Sequence, residues 1–207
     1  MNKNIELYNK HFVQSNREMT QLFGILKEKY TIHSAIYPGS FVHISPAFIF
    51  PVTAFIDNDR RVAKFFADPE VLALVEEKKK YREKTYIEAF QKNYESETTL
   101  KEESFDLMIS QYAGFISQLC KPYLKIGGIL LVNNSHADAG LAYLDKDYKL
   151  IAVANHIKGR WEISEKNLGE YFIPKKGVHP TKEVLIATMR GIGYRRIATN
   201  YIFRRTV

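Results

Sequence analysis

Short apolar runs alternate with helix-like segments along most of this chain, a pattern typical of an α/β protein. The clearest case is 104–133, where the apolar run Phe105–Ile109 is followed by a helix-like segment. The pattern predicts that this helix ends at Gly127–Gly128 and that a buried strand, Ile129–Val132, follows at once. Such a βαβ unit belongs to a parallel sheet with helices on both faces. Ligands of these sheets bind beyond the carboxyl ends of the strands, so the candidate site residues are those after each apolar run.

The remaining elements follow from the same periodicities. Apolar positions between residues 5 and 30 predict one or two amphipathic helices, and further helices are predicted at 60–67, 69–81, 137–144 and 181–191. Asp68 and Thr181 are the expected N-caps of two of them, because their side-chain oxygens can accept a free N–H group. Strands are predicted at 34–37, 53–56, 85–90 and 149–155, with one or two more between 194 and 204 and Trp161 in a polar connection. We therefore expect an N-terminal helical segment, 1–33, packed on an α/β domain, 34–207.

Composition narrows the class of protein. A chain of 207 residues with 45% hydrophobic and 26% charged residues fits one α/β domain with a full core. No apolar run approaches the roughly 20 residues of a membrane span, and residues 1–8 are too polar for a signal peptide. We therefore expect a cytoplasmic protein with no membrane partner. The single cysteine, Cys120, excludes a disulfide within the chain, and its helical pattern predicts a buried structural thiol.

Positive charge is concentrated in the last quarter of the chain. Residues 158–207 contain 11 Lys and Arg against four Glu, whereas residues 1–157 contain 19 residues of each sign. In the final segment, 190–205, arginines lie among aromatic residues, a pattern that can bind nucleic acid by gripping RNA phosphates and stacking on bases. The alternative, which we favour, is that the arginines face solvent and that the apolar residues belong to a sheet, namely Tyr194, Ile197, Tyr201 and Phe203. A homodimer is also left open.

Several strand ends carry residues that could bind a ligand. After the first strand, Gly39 can adopt a positive φ that lets a ligand approach the backbone. After the second, Asp57 is placed to bind two ribose hydroxyls, although Asp57 or Asp59 could instead cap the helix that follows. After the third, Asn93 could read a base edge or lie in a plain loop, and residues 110–112 follow the fourth.

Candidate bases are few. His43 could face the site or be a buried helix histidine. His136 and Asp138 follow the fifth strand, where they could contact a substrate or assist a proton transfer as a pair at the rim. The alternative is that Ser135 or Asn134 caps a helix and leaves the pair exposed. No spacing of histidines and acids in the sequence is that of a metal site.

Three features together resemble the class I S-adenosylmethionine-dependent methyltransferases. They are the acid after the second strand, F-D-L-M-I-S as the fourth strand, and K-P-Y-L-K-I-G-G-I-L-L-V, which is similar to the family's L-K-P-G-G-x-L. The resemblance covers roughly 34–135, and 198–204 is similar to the family's last strand. It implies a three-layer Rossmann-like fold with a mostly parallel central sheet and an antiparallel last strand. The implied cofactor is S-adenosylmethionine, and the N-terminal helical extension would cover the site.

The resemblance also implies roles for individual residues. Pro38, Gly39 and Ser40 would lie beside the methionine part of the cofactor, and Asp57 would hold the ribose hydroxyls. The aromatic face of Tyr37 could favour the sulfonium charge. The other implied cofactor contacts are Asn58 and Asn93 at the adenine and Ser110 and Gln111 beside the transferred methyl group, and the candidate catalytic residues are Tyr112 and His136.

The first loop departs from the family pattern. The family usually has D-x-G-x-G-x-G there, whereas Y-P-G-S-F-V-H-I-S-P has one glycine, no acid, and Phe41 where a backbone should approach the ligand. The fourth strand also lacks the N-P-P-Y of amino-group methylases. The leading hypothesis is therefore a methyltransferase acting on a small molecule. The alternatives are a non-catalytic relative with an altered loop, and a protein that binds RNA through its basic C-terminal part.

Overall fold

The computed structural model describes residues 2–96, 98–177 and 179–207, and the chain divides into two compact units, 1–99 and 100–207. Each unit contains both strands and helices. The expected organisation, with a helical segment 1–33 and an α/β domain 34–207, stays a prediction.

The first unit is built on a parallel sheet of three strands. Their order is β3-β2-β1, with β1 Ser34–Pro38, β2 Val52–Asp57 and β3 Tyr86–Gln91. Pro38 pairs with Ile56, and Asp57 pairs with Gln91, so the carboxyl ends of the three strands lie at one edge. The predicted positions of these strands are therefore confirmed to within one residue at each end.

Helices of the first unit agree with the amphipathic pattern. They are α1 Lys3–Tyr8, continued by a π-helix at Asn9–Val13, then α2 Thr20–Tyr30, a 3-10 turn at Ser45–Phe48, α3 Val62–Phe66 and α4 Pro69–Lys78. Asp68 caps α4, as predicted, because its carboxylate accepts the Glu70 N–H. The helix ends at Lys78 rather than at Tyr81. The chain leaves it there because Lys80 donates its N–H to Phe48 and the Tyr81 hydroxyl donates to Ala47.

The second unit contains a mixed sheet of five strands in the order β4-β5-β8-β6-β7. Only β4 and β5 are parallel, so the predicted antiparallel last strand is confirmed. The strands are β4 Phe105–Ser110, β5 Leu124–Val132, β6 Tyr148–Ile157, β7 Arg160–Ser164 and β8 Asn200–Arg205. The helices are α5 Ile116–Leu119, α6 Asp138–Leu144 and α7 Lys182–Thr188, with 3-10 turns at Lys121–Tyr123 and Leu168–Glu170.

The prediction of a helix ending at Gly127–Gly128 is wrong. The helical part is only α5 and the turn after it, and β5 has already begun at Leu124. The pairing with β4 shifts register between Phe105 and Leu107, and Gly127 has φ +82° there. A Cβ on Gly128 would lie 2.7 Å from the Leu124 side chain and 2.8 Å from the Lys125 oxygen. The two glycines therefore shape a bulge inside a strand and do not stop a helix.

The C-terminal predictions need three corrections. Trp161 lies in β7, because Lys158 and Gly159 both have positive φ and form the tight turn of a hairpin. Thr181 caps α7 as predicted, but the helix ends at Thr188 instead of continuing to 191. The final segment forms one strand, β8, and Ile197 is 71% exposed outside it.

Both units bury continuous apolar layers. In the second unit the buried set includes Cys120, which confirms the expected structural thiol. Burial raises the pKa of that thiol to about 12, so it stays protonated and inert. None of the helices in the described part of the chain has the length and apolar character that a membrane span requires.

Candidate functional site

The loop after β1 bends back toward the end of β2. Gly39 has φ +70° and donates its N–H to the Ile56 oxygen at 2.7 Å. The backbone N–H of Phe41 then donates to the Asp57 Oδ2 at 2.7 Å. The loop and the carboxylate therefore meet at one place in the first unit, as their positions after two neighbouring parallel strands predict.

Asp57 is held by two backbone donors. Its Oδ2 accepts from Phe41, and its Oδ1 accepts the Asp59 N–H at 2.8 Å. A carboxylate oxygen has two lone pairs, and Asp57 is only partly buried, so each oxygen can accept one further hydrogen bond. A diol such as that of a ribose supplies two such donors.

Asp59 bonds to Arg61 in the turn before α3. Its carboxylate accepts the Arg61 backbone N–H at 2.9 Å and forms a two-pronged ion pair with the Arg61 guanidinium, at 2.8 and 2.7 Å. The hydrogen bond from Arg61 is the largest cause that lowers the pKa of Asp59 to about 2. Neither acid caps α3, because its N-cap is Arg61 and has no side-chain cap, so Asp59 lies in the turn before the helix and Asp57 at the strand end.

Phe41 keeps the backbone shape that a glycine would give. Its φ is +48°, a conformation that costs a residue with a Cβ roughly 1–2 kcal/mol. The Arg61 Cζ lies 4.4 Å from the centroid of its ring, and the His11 ring meets it edge-on at 5.3 Å. The Phe12 ring is 6.5 Å away. The π-helix at Asn9–Val13 therefore covers the loop, and packing of the ring offsets part of the strain.

Tyr37 and His43 are buried together behind the loop. The His43 ring stacks on Phe12 with centroids 4.1 Å apart, its Nδ1 lies 3.2 Å from the Tyr37 hydroxyl, and its Nε2 lies 3.0 Å from the Glu18 oxygen. Burial lowers the pKa of His43 to about 4, so the ring is neutral. A neutral ring donates from Nε2 to the carbonyl and accepts at Nδ1. His43 is thus buried, as one alternative expected, but it lies in the loop before the 3-10 turn at Ser45–Phe48 and not in a helix.

The remaining first-unit candidates differ in exposure. Pro38 ends β1 and is buried, as is Ser40, whose hydroxyl donates to the Phe41 oxygen at 3.3 Å. Asn58 is exposed directly after Asp57. Asn93 lies two residues beyond β3, is exposed, and accepts the Glu95 N–H at 3.2 Å in a local turn. The structure thus brings Gly39, Phe41 and Asp57 together and leaves the Asn93 side chain in a surface turn.

In the second unit, the end of β4 is tied to the start of α6. The Ser110 hydroxyl donates to the Asp138 Oδ2 at 2.6 Å, and the Ser117 N–H donates to both carboxylate oxygens at 3.0 and 3.2 Å. Asp138 is 2% exposed, and burial raises its pKa to about 6 against the lowering effect of these hydrogen bonds. The expected rim pair is therefore wrong in both versions, because Asp138 is neither exposed nor beside His136 at the surface.

Three amide side chains of the second unit, those of Gln111, Asn133 and Asn200, form a hydrogen-bonded chain. Gln111 donates to the Asn200 Oδ1 at 2.7 Å and accepts from the Asn133 Nδ2 at 3.2 Å. The Asn133 Oδ1 in turn accepts from Ser135, through its N–H at 3.2 Å and its hydroxyl at 2.9 Å. The side chains of Gln111, Asn133 and Asn200 are buried. The loops after β4 and β5 are thus fixed to each other by side chains.

The two candidate catalytic side chains lie on these fixed loops. Tyr112 is 63% exposed with φ +59°, and its N–H lies 3.5 Å from the Asn133 Oδ1. His136 is partly buried, with its Nδ1 3.0 Å from the Ser135 hydroxyl. The Asn133 side chain therefore connects the backbone of Tyr112 to Ser135, the residue that precedes His136.

Two of the basic C-terminal residues have partners within the second unit. Arg205 donates to the Lys121 oxygen at 3.2 Å and pairs with Glu103 at 3.2 Å. Arg196 pairs with Glu170 at 2.8 Å. The aromatic residues expected in a sheet are buried, namely Tyr194, Tyr201 and Phe203. They present no ring face for stacking on a base.

Within 2–96, 98–177 and 179–207, no three His, Cys, Asp or Glu side chains are grouped as ligands of a metal ion.

Comparison with solved structures identifies the fold. The O-methyltransferase TomG from Streptomyces achromogenes, crystallised with S-adenosylmethionine, matches 79% of this chain and 87% of its own at a TM-score of 0.50 and 11% identity. The fold is that of the class I methyltransferases. A methyltransferase from Geobacter sulfurreducens also matches, at 11% identity and a TM-score of 0.47, over 74% of this chain and 84% of its own.

A third solved structure also matches. A protein from Methanococcus maripaludis, provisionally assigned to the S-adenosyl-L-methionine-dependent methyltransferases, is 15% identical with a TM-score of 0.46 over 63% of this chain. The match spans 61% of the length of that protein. No family model and no curated protein matches the chain.

Sequence reasoning missed the residues that organise the second unit. Asn133, Asn200 and the buried position of Asp138 depend on contacts between residues 21 to 89 positions apart. One signal was present: Asn133 directly follows the apolar run of β5, and a polar residue there is a candidate by the strand-end rule.

Proposed function

We propose that this chain is a methyltransferase that uses S-adenosylmethionine, acts on a small molecule and works in the cytoplasm. The observation that carries the proposal is the meeting of the Gly39 bend with the Asp57 carboxylate in the first unit. A methyltransferase fold alone does not fix an activity, so the proposed activity depends on this site. The match to TomG, which was crystallised with the same cofactor, supports it.

The residues of the first unit fit the ribose end of the cofactor. Both Asp57 oxygens are oriented by backbone N–H groups and keep a lone pair each for a diol. Phe41 holds the turn at a positive φ, with its ring among Arg61 and His11. Pro38, Ser40, Tyr37, Asn58 and Asn93 remain proposed cofactor contacts of this unit, whereas the side chains of Ser110 and Gln111 bond to Asp138 and Asn200 in the second unit.

Methyl transfer asks little of the protein beyond alignment and a place for a proton. The bound cofactor supplies an electrophilic methyl group, and the enzyme must hold the acceptor in line with it and exclude water. We assign His136 to accept the acceptor's proton, with the Ser135 hydroxyl orienting its ring through Nδ1. Tyr112, exposed at the end of β4, would contact the acceptor with its ring.

A non-catalytic relative is the second candidate. It is favoured by Phe41, which occupies the place of a family glycine, and by the two backbone N–H groups that already bond Asp57. In this version the loop binds a different ligand or none.

Calorimetry with S-adenosylmethionine and with its demethylated product tests the proposal. We expect heat of binding at sub-millimolar concentration for the wild type. Asp57→Ala should weaken binding at least tenfold, because two charge-assisted hydrogen bonds to the ribose are lost. No heat with the wild type would reject the methyltransferase and leave the non-catalytic relative.

Asp59→Ala is the matched control. It removes a carboxylate two residues away, together with the ion pair to Arg61, but no proposed cofactor contact. We expect its affinity to stay within about threefold of the wild type. Equal losses in both variants would show that the turn matters and the Asp57 carboxylate does not.

A further inference from the structure

A cavity lies in the first unit, away from the loop after β1. It has a volume of about 890 Å³ and runs along one side of α2, reaching the residues just before β1 and Lys80 after α4. Volumes of about 300–1,000 Å³ are typical of small-molecule sites. The five residues of β1 separate its Ile32–His33 end from the loop that follows Pro38, a span of about 17 Å at about 3.3 Å per residue. The cavity is therefore separate from the proposed cofactor site.

One residue that lines the cavity, Gly24, is a glycine inside a helix. It lies in the middle of α2, where a glycine destabilises a helix relative to alanine. Packing does not demand the glycine, because a Cβ there would meet no heavy atom within 4 Å outside the local helix backbone. Gly24 lines the cavity, so the space that a larger side chain would fill at this position is part of the cavity.

The cavity combines an apolar wall with fixed positive charge. Ile25, Ile32 and Ile49 supply apolar surface. The Lys27 ammonium is held in place by a hydrogen bond to the neutral Ile49 oxygen at 2.8 Å and lies 5.3 Å from the centroid of the Tyr81 ring. Neither contact neutralises its charge, although the Glu28 carboxylate lines the same cavity and Glu83 interacts electrostatically with Lys27. Lys80 also lines the cavity, so its lining contains two lysines against the one carboxylate of Glu28.

We propose that this cavity binds a small amphipathic anion, with its apolar body along Gly24 and the isoleucines and its acidic group on Lys27 and Lys80. The acidic group is a carboxylate, sulfonate or phosphate, since all three accept hydrogen bonds from an ammonium. The site goes beyond the proposed methyl transfer and does not depend on it.

Fluorescence titration with the aromatic sulfonate 8-anilinonaphthalene-1-sulfonate tests the site in the full-length protein. We expect saturable binding of one probe per chain, weakening as salt rises. Gly24→Leu fills the space and should reduce affinity at least fivefold. Lys27→Met keeps the stem but removes the charge and should reduce affinity about fivefold or more. Gly24→Ala should give a smaller loss while raising the melting temperature, because alanine favours the helix.

Lys64→Met is the matched control, because it removes an exposed lysine from α3, outside the cavity. It should leave probe binding unchanged. Circular dichroism melting of every variant separates loss of the site from loss of folding, and Lys27→Met still tests the site should Gly24→Leu fail to fold. Equal probe binding by wild type, Gly24→Leu and Lys27→Met, or equal losses in Lys27→Met and Lys64→Met, would overturn the proposal.

Discussion

The two units hold an aspartate after an apolar strand in opposite ways. Asp57 stands at the end of β2, partly exposed, and two backbone N–H groups donate to it. Asp138 starts α6 and is buried, and its main partners are the Ser110 hydroxyl and the Ser117 N–H. The Asp57 carboxylate keeps lone pairs that a ligand can reach. The Asp138 carboxylate instead uses its hydrogen bonds to join β4 to α5 and α6. Position after a strand therefore does not by itself leave the lone pairs of an acid accessible to a ligand.

Removing the buried carboxylate should cost more stability than removing the exposed one. Asp138→Ala leaves the Ser110 hydroxyl and the Ser117 N–H without an acceptor in the interior, and we expect a loss of about 3 kcal/mol in the free energy of unfolding. Asp57→Ala exposes its two donors to water and should lose about 1 kcal/mol. Urea unfolding at pH 7 gives both values.

Asp138→Asn is the matched variant for the buried site. Its amide oxygen can still accept from Ser110 or Ser117, so the loss at pH 5 should stay near 1 kcal/mol. Equal losses in Asp138→Ala and Asp57→Ala would show that the contrast between the two carboxylates has no energetic weight.

Acid should act on the two units with opposite signs. His43 is neutral when folded, with its pKa lowered to about 4, so the unfolded chain binds more protons and the first unit loses stability as the pH falls from about 6.5 toward 4. Asp138 has its pKa raised to about 6, so the folded chain binds more protons and stability rises as the pH falls from about 6 toward 4. Between pH 6.5 and 4.5 each effect amounts to about 2 kcal/mol.

Single substitutions should separate these two effects. Asp138→Asn removes the stabilisation on acidification, and His43→Phe, which can still stack on Phe12, removes the destabilisation. Unfolding of the second unit can be followed by the fluorescence of Trp161, the single tryptophan. The difference in unfolding free energy between Asp138→Asn and the wild type should shift by about 2 kcal/mol over this range. Parallel pH profiles would contradict the assignment to Asp138.

The smallest expected effect concerns the strained loop of the first unit. Because Phe41 has φ +48°, Phe41→Gly should be more stable than Phe41→Ala by about 1 kcal/mol. At Lys64, inside α3, the order should reverse, with alanine about 1 kcal/mol more stable than glycine. Urea unfolding of the four variants checks both orders. Alanine above glycine at both positions would show that the loop is not strained.

Local rules made the first unit predictable from sequence. Gly39 at a bend, Asp57 at a strand end and Asp68 as an N-cap each depend on a few neighbouring residues, and the structure has them as expected. The same rules failed at Gly127, because positive φ serves a strand bulge as well as a helix end. Only pairing with β4 distinguishes the two.

Contacts distant in sequence hid the second unit's organisation. Gln111 meets Asn200 across 89 positions, and Ser110 meets Asp138 across 28. No periodicity reports such pairs, since amides and hydroxyls are common in loops. The hairpin turn at Lys158–Gly159 could have been predicted from the sequence, because a glycine between two alternating segments is a turn signal.

The inert cysteine offers a practical handle. With its sulfur shielded and protonated, Cys120 should ignore a maleimide while the protein is folded and react once the second unit opens. Labelling over time would then act as a clock for opening of that unit. A cysteine introduced on the surface could be tagged selectively in the same chain without first removing the native one.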